Sequence, residues 1–481
     1  EIQERTAYNS FNYSPVFDEE HRIVGFPEMD DIDGSEINYS ALGGTGKSVS
    51  KMSSFFANAS YSYLDKYILT GALRYDGSDI IGNDNQFTPL WNVGLRWNLH
   101  REEFMKRWMW VDQFAVRGGF GYTGSIDKNA LPFVVMTLGQ SVIYDGQTVP
   151  TSFSYPNPNV KWQTKQDMNV GLDLSLFDYR LELGVNYYNN ITRDVLDRKA
   201  LPYSSGRSEV TENVADIYNS GWEIDLGVTL LKNKSFQWYA KANIAINDNK
   251  VKNTYYKDTK DLPKATLSNA HQFVENQPVN GWYGYKFAGI NPINGAVMTY
   301  TGNGEATLDM SVSGATWPIP SVFYLGNLTP PVVGGFSTSA NWKQLIFSAN
   351  FEFKTGHKIK SFNTFRSLDA RNRHTSEANR WREPGDITNV PAMSEAFTTY
   401  SSYMYDILLE KGNYLRCSYM TLGYNLKPEW LHKIGFSTAR LSFTAKDLFT
   451  VSSYSGIDPA LMGSFGYPNS RKYTITLNVG F

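Results

Sequence analysis

The side chains best suited to covalent or metal chemistry are few and scattered. Histidines stand at 21, 100, 271, 357, 374 and 432, with no H-E-x-x-H pair and no two on one strand. The lone Cys417 excludes an internal disulfide and any cysteine-based zinc site. Asp30, Asp31, Asp33 and Glu36 form an acidic run, DDIDGSE, but its spacing departs from the D-x-[DN]-x-[DN]-G-x5-E calcium loop. It reads as a solvated turn. No glycine-rich phosphate loop precedes a helix. The expectation is therefore no catalytic residue, no metal and no cofactor, and a protease or lipase barrel would need a clustered nucleophile and base that the sequence does not offer.

Recognition chemistry is better represented. Two long segments without regular pattern, 248–331 and 356–412, hold Trp282, Tyr283, Tyr285, Trp317, Tyr324, Arg380, Trp381, Arg382, Asp386 and Tyr405. Aromatic faces stack on sugar rings, and Arg and Asp hydrogen-bond hydroxyls. The candidate substrate-binding set is thus Trp282, Tyr283, Tyr285, Trp317, Arg380, Trp381 and Asp386. The same residue types also pack loop on loop or against a partner, and "RWREPGD" can equally be a brace.

The elements that must position these loops are strands. The chain of 481 residues carries 31 Tyr, 28 Phe and 12 Trp, 15% aromatic, with a formal net charge of −2. So many rings on so polar an average suit a transmembrane barrel, in which only alternate residues face lipid and aromatic girdles mark both interfaces. No run of about 20 apolar residues would make a spanning helix, and a barrel needs none. The absence of basic runs excludes nucleic acid as a partner. Because the chain opens at Glu1 without a signal peptide or initiator Met, it is expected to be processed, cleaved or part of a longer product.

Period-two alternation recurs in roughly 13 segments, each near the 9–11 residues that cross a bilayer at a tilt. They lie near 52–63, 66–77, 87–99, 111–123, 163–175, 179–190, 219–231, 236–247, 332–341, 344–355, 413–426, 437–449 and 471–481. In the last, Tyr473, Ile475, Leu477, Val479 and Phe481 alternate with Lys472, Thr474, Thr476, Asn478 and Gly480. A soluble sandwich or propeller would also alternate. Aromatic residues at the ends of many apolar faces, and charges on the opposite faces, favour the membrane. Arg96, Arg117, Glu182, Glu223, Asp225, Lys241, Glu352 and Lys354 then line a wet lumen.

Connections alternate short and long, the long ones near 78–86, 124–162, 191–218, 248–331, 356–412 and 450–470. With the last strand ending in the periplasm, every short turn falls there and every long loop outside the cell. The count of about 13 is odd, whereas single-chain bacterial barrels have even numbers, and an open half-barrel would expose an unpaired edge to lipid, so further strands must complete the wall.

The run "YSYLDKYILTGALRYDGS" at 61–78 resembles the SusC/RagA family of TonB-linked outer-membrane transporters. So do "NPNVKW" at 157–162 with the segment after it, "IYNSGWEIDL" at 217–226, "GWYGYKFAGINPINGAV" at 281–297, "RWREPGDITNVP" at 380–391, "YLRCSYMTLGYNL" and "YSGIDPAL". The ordered series spans about residues 40–481. The resemblance implies an all-β, 22-stranded antiparallel barrel with a plug in its lumen, of which this chain supplies about 13–14 strands. Residues 1–50 would be an extracellular loop with the strand that leads into the wall, and 51–481 the C-terminal part of the barrel. It further implies residence as a multi-pass protein of the bacterial outer membrane, and import of oligosaccharides or peptides under a SusD-like surface lipoprotein. The inner-membrane TonB complex would supply energy by acting on an N-terminal part, with plug and first strands, on a separate chain or missing segment. Phe481 resembles the terminal aromatic of a barrel-assembly signal and also suits an interface girdle. The alternative reading is a passive porin or an adhesin-like surface barrel.

Overall fold

The computed structural model describes residues 2–8, 16–17, 23–25, 47–79, 81, 86–126, 136–144, 147–153, 161–200, 204, 209–259, 273–309, 322–361, 378–392, 405–431, 435–462 and 466–481. Its dominant feature is one antiparallel sheet of 14 strands in which sequential wall strands are neighbours. The thirteen expected strands are all present. The fourteenth is Ile2–Tyr8, which pairs with Lys47–Tyr63 from Ile2 opposite Ser53 to Tyr8 opposite Lys47. Lys47–Tyr63 runs unbroken across the expected boundary at residue 50, and the strand leading into the wall lies at the very start of the described chain.

Hairpin chemistry sets the register at the short-turn end. Leu64 and Asp65 both take positive φ, the geometry of a two-residue turn whose twist matches the strands it joins. Phe177, Asp178 and Tyr179 adopt the same left-handed region between Gln163–Leu176 and the strand Leu181–Ala200. The turns at 64–66, 99–110, 177–180, 233–235, 343–344 and 426–437 all fall at one end of the sheet, and the long connections at the other.

Two segments expected to be loop are strand. Leu181–Ala200 and Glu209–Lys232 continue their ladder up to Ala200 opposite Glu209, with bulges near Val195, so 191–218 contains only a short connection. A tilted strand of about 10 residues already crosses the hydrocarbon. These walls therefore rise well above the bilayer. Within 124–162, Met136–Tyr144 and Gln147–Phe153 form a hairpin.

The sheet's two faces are chemically opposite. Leu69, Leu73, Val93, Leu95, Leu226, Leu422, Leu441, Phe443, Ile475 and Leu477 are exposed, all on one face. In water this would be a large unpaid apolar surface; in a bilayer it is the surface that contacts lipid. Buried clusters lie mainly above the wall, around Tyr283, Tyr285, Val297 and Tyr405. Among the described residues, Lys472–Gly480 pairs only with Thr438–Ser452, and Ile2–Tyr8 only with Lys47–Tyr63.

Candidate functional site

Two regions qualify: the inner face of the wall and the cap built from the extracellular loops. The inner face is set by strand parity. Where Leu95 faces out, Arg96 faces in; where Val116 faces out, Arg117 faces in. Arg96 Nη1 donates to Asp173 at 2.9 Å, and Arg117 Nε donates to the same carboxylate at 3.4 Å. Arg117 Nη1 donates to Asn186 Oδ1 at 3.4 Å, and Asn186 Nδ2 donates to Glu223 at 3.3 Å. Lys241 lies 3.8 Å from Asp225. Six adjacent strands thus carry one polar band. Gly171 makes room for it, since a Cβ there would fall 2.7 Å from the Arg117 guanidinium carbon. All these groups keep contact with solvent, so their pairing is soft and each can exchange partners with a polar solute or polypeptide. Glu182 accepts from Tyr239 at 3.5 Å, and Glu352 lies 3.9 Å from Arg416. The expected lumen charges, Lys354 included, all fall on this face.

The cap is a different kind of place. Gly281–Gly284 pairs with Phe323–Asn327, and Phe287–Ile290, Val297–Tyr300 and Ala306–Asp309 form a three-stranded sheet. Tyr283 and Tyr285 are each 1% exposed and Trp282 is 7% exposed. Tyr285 packs on Tyr405 with ring centroids 6.1 Å apart, and Tyr283 on Tyr324 at 5.9 Å. Trp282 Nε1 donates to the Lys358 carbonyl at 2.7 Å, with Lys360 Nζ over its ring. Burial pushes the Tyr283 hydroxyl well above its ordinary value and the Tyr324 hydroxyl up to about 12. Trp282, Tyr283, Tyr285 and Tyr405 have no face left for a ligand; they are the core that gives the cap its shape, while Tyr324 stays half-buried at its edge.

Trp381, Arg380 and Asp386 belong to a brace on that core. Trp381 N–H donates to the Val390 carbonyl at 2.9 Å and its Nε1 donates to the Pro292 carbonyl at 3.2 Å. Arg380 bridges Val390 through backbone. Asp386 accepts from the Arg382 and Glu383 amides at 2.8 and 3.2 Å, closing the turn on itself. Gly295 takes φ +71, and a Cβ there would sit 2.5 Å from the Trp381 ring. The "INPINGAV" and "RWREPGD" segments are thus fitted to each other. Trp317 and the acidic run at 30–36 lie outside the described residues.

Bracing residues to which the sequence assigned no role, although Arg416 and Asp458 lie in the motifs "YLRCSYMTLGYNL" and "YSGIDPAL", join the cap to the wall. Arg416 Nη2 donates to Asp458 at 2.6 Å, and Nε donates to Thr450. Asp458 also accepts from the Ala460 amide, with Pro459 at the first helical position; Asp-Pro, inside the "YSGIDPAL" motif, is the local signal of this cap. Glu410 accepts from Ser361, from the Ser455 amide at 2.8 Å and from the Ser455 hydroxyl at 2.6 Å. Burial raises that carboxyl, but these hydrogen bonds outweigh it and hold Glu410 below its ordinary value. Phe481, largely exposed, sits against Phe436 with centroids 5.1 Å apart at the periplasmic rim.

With this geometry in view, comparison with known proteins is direct. Residues 3–352 match the family described as "TonB dependent receptor-like, beta-barrel". TonB-dependent receptor P3 of Formosa agariphila is 29% identical over 465 residues, covering 89% of this chain and 45% of the relative. TonB-dependent receptor SusC of Bacteroides thetaiotaomicron is 23% identical over 453 residues, covering 89% of this chain and 43% of that one. The RagAB peptide importer in its "open-open" state superposes with a TM-score of 0.75 at 25% identity, over 93% of this chain and 49% of that chain. The chain spans about half the length of the relatives it matches.

Proposed function

Because the chain belongs to the TonB-dependent receptor-like β-barrel family, as a SusC/RagA-like, non-enzymatic barrel of the bacterial outer membrane, we propose that it forms the larger part of the wall of an active importer of oligosaccharides or peptides. The observation that carries this reading is the contrast between the two faces: exposed apolar side chains outward, and the Arg96–Asp173–Arg117–Asn186–Glu223 band inward. That band would meet a plug domain and the passing solute. Of the two substrate classes, peptides draw support from the RagAB importer.

In this reading the strands that join the Ile2–Tyr8 edge to the Lys472–Gly480 edge, together with the plug and the segment engaged by TonB, come from an N-terminal part of the transporter. A SusD-like lipoprotein covers the cap. Trp282, Tyr283, Tyr285, Trp381, Arg380 and Asp386 hold the cap's shape for that lid, and substrate is met by the cap's outer surface and the lumen band. The strands Ile2–Tyr8 and Lys47–Tyr63 join the rest of the chain, as far as Phe481, in the barrel with its loops, and Phe481 serves as the barrel-assembly signal.

The test is native mass spectrometry of the detergent-extracted complex with peptide mapping of every subunit. The proposal expects a plug-bearing polypeptide, continuous with this chain or separate, and a lipoprotein in the same particle. A particle with neither would favour a passive porin or adhesin-like barrel.

A further inference from the structure

The periplasmic turn at 99–110, Leu-His-Arg-Glu-Glu-Phe-Met-Lys-Arg-Trp-Met-Trp, is long enough to fold on itself, and its position can be read from one carboxylate. Tyr67 and Trp97 are cross-strand partners on the face that carries Leu69 and Leu95, with stacked rings 6.2 Å apart. Tyr67 OH and Trp97 Nε1 both donate to Glu102 Oε1, at 2.7 and 3.1 Å, and Lys66 Nζ donates to Oε2 at 2.9 Å. A carboxylate reached by two lipid-facing rings lies outside the wall. After Leu99 the chain has therefore turned over the rim to the lipid side.

What it presents there is apolar. Met105 is 4% exposed and seats the turn, whereas Phe104, Trp108 and Trp110 are exposed and Met109 is 90% exposed. Trp108 stacks on Trp110 at 6.1 Å, and Trp110 on the exposed Phe177 of the next turn at 5.7 Å. Basic residues border this shelf. Arg101 lies 3.5 Å from Asp65 and Lys106 2.7 Å from Glu103, while Arg107 makes no ion pair among the described residues. Trp beside Arg and Lys is the composition of the zone between head groups and acyl chains, where a ring is half in hydrocarbon and a cation reaches phosphate.

We infer that the 99–110 turn is an interfacial foot: it is not a free periplasmic loop but lies in the periplasmic leaflet, with Trp108, Met109 and Trp110 among phospholipid chains and Arg107 at head-group phosphate. Its continuity with the lipid face of the strands Tyr67–Ser78 and Phe87–Asn98 makes phospholipid the occupant. The inference rests on the outer-membrane reading. Glu102 fixes the foot to the wall and so fixes the depth at which the barrel sits.

A nitroxide label tests this, attached at Met109→Cys in a Cys417→Ala background of the full transporter. The protein is reconstituted in vesicles of phosphatidylethanolamine and phosphatidylglycerol. Collision rates with oxygen and with a water-soluble nickel chelate give depth. Val93→Cys on the lipid face and Ile387→Cys on an extracellular loop serve as references. The inference expects the label at 109 to be shielded from nickel several-fold relative to 387, at a depth between 93 and 387. A label at 109 as open to nickel as that at 387, with 93 still shielded, overturns the foot alone. Nickel access at 93 overturns the membrane reading itself.

Discussion

Arg416 and Asp458 form a buried ion pair, 2.6 Å from Nη2 to Oδ1, with side chains only 5% and 8% exposed. It ties the last extracellular loop to the strand Tyr414–Asn425. Removing one member leaves the other charge buried, which costs roughly 3 kcal/mol in comparable sites. Asp458→Ala is expected to lower the melting temperature in detergent and to speed amide exchange across Ser452–Met462. Unchanged exchange there would show that the loop does not depend on the pair.

Gly295 and Trp381 make a second such dependence. The backbone at 295 is left-handed, and any Cβ meets the Trp381 ring. Gly295→Val combines that strain, about 1–2 kcal/mol, with displacement of the indole. Red-shifted tryptophan emission and protease cutting within 378–392 are the expected results, with the wall strands still protected.

The Glu102 carboxyl is held at about 2, against an ordinary value of 4.5, by hydrogen bonds from Lys66, Tyr67 and Trp97. The folded value lies below the unfolded one. Its contribution is therefore complete above about pH 4.5 and is lost as pH falls toward 2. The stability difference between wild type and Glu102→Gln should be constant from pH 8 to 5 and shrink between pH 4.5 and 2. A difference that grows on acidification would refute the assignment.

Parity predicts opposite outcomes for neighbouring substitutions. Val93 faces lipid, and a lysine there is expected to cost about 2–4 kcal/mol in a bilayer. Asn92 is exposed on the lumen face, where lysine should cost no more than about 0.5 kcal/mol, as at other solvated positions. Urea titration in vesicles measures both.

The wall was legible because lipid on one side and water on the other impose strict alternation from Phe55 to Phe481. That signal stops where the bilayer stops. Arg193, Asp194, Asp197 and Glu212 lie on strands that rise into water, so charges break the alternation and 191–218 reads as loop. Ile2–Tyr8, IQERTAY, likewise has no apolar face to betray it. The cap failed to show itself for the opposite reason. Gly281–Gly284 is buried on both sides, so nothing alternates, and Tyr283 and Tyr285 look like ligand-facing rings until Val297 and Tyr405 are found packed on them. Composition can place aromatics in a loop; only tertiary contacts, such as that of Tyr285 with Tyr405, decide whether they face a ligand or one another.

The most direct test of energised import is uptake of labelled oligopeptide and oligosaccharide pools by cells with and without the gene, each with and without a proton uncoupler. The account predicts that uptake of one pool is lost both on deletion and on uncoupling of wild-type cells. Gene-dependent uptake that survives the uncoupler would contradict it and leave a passive pore.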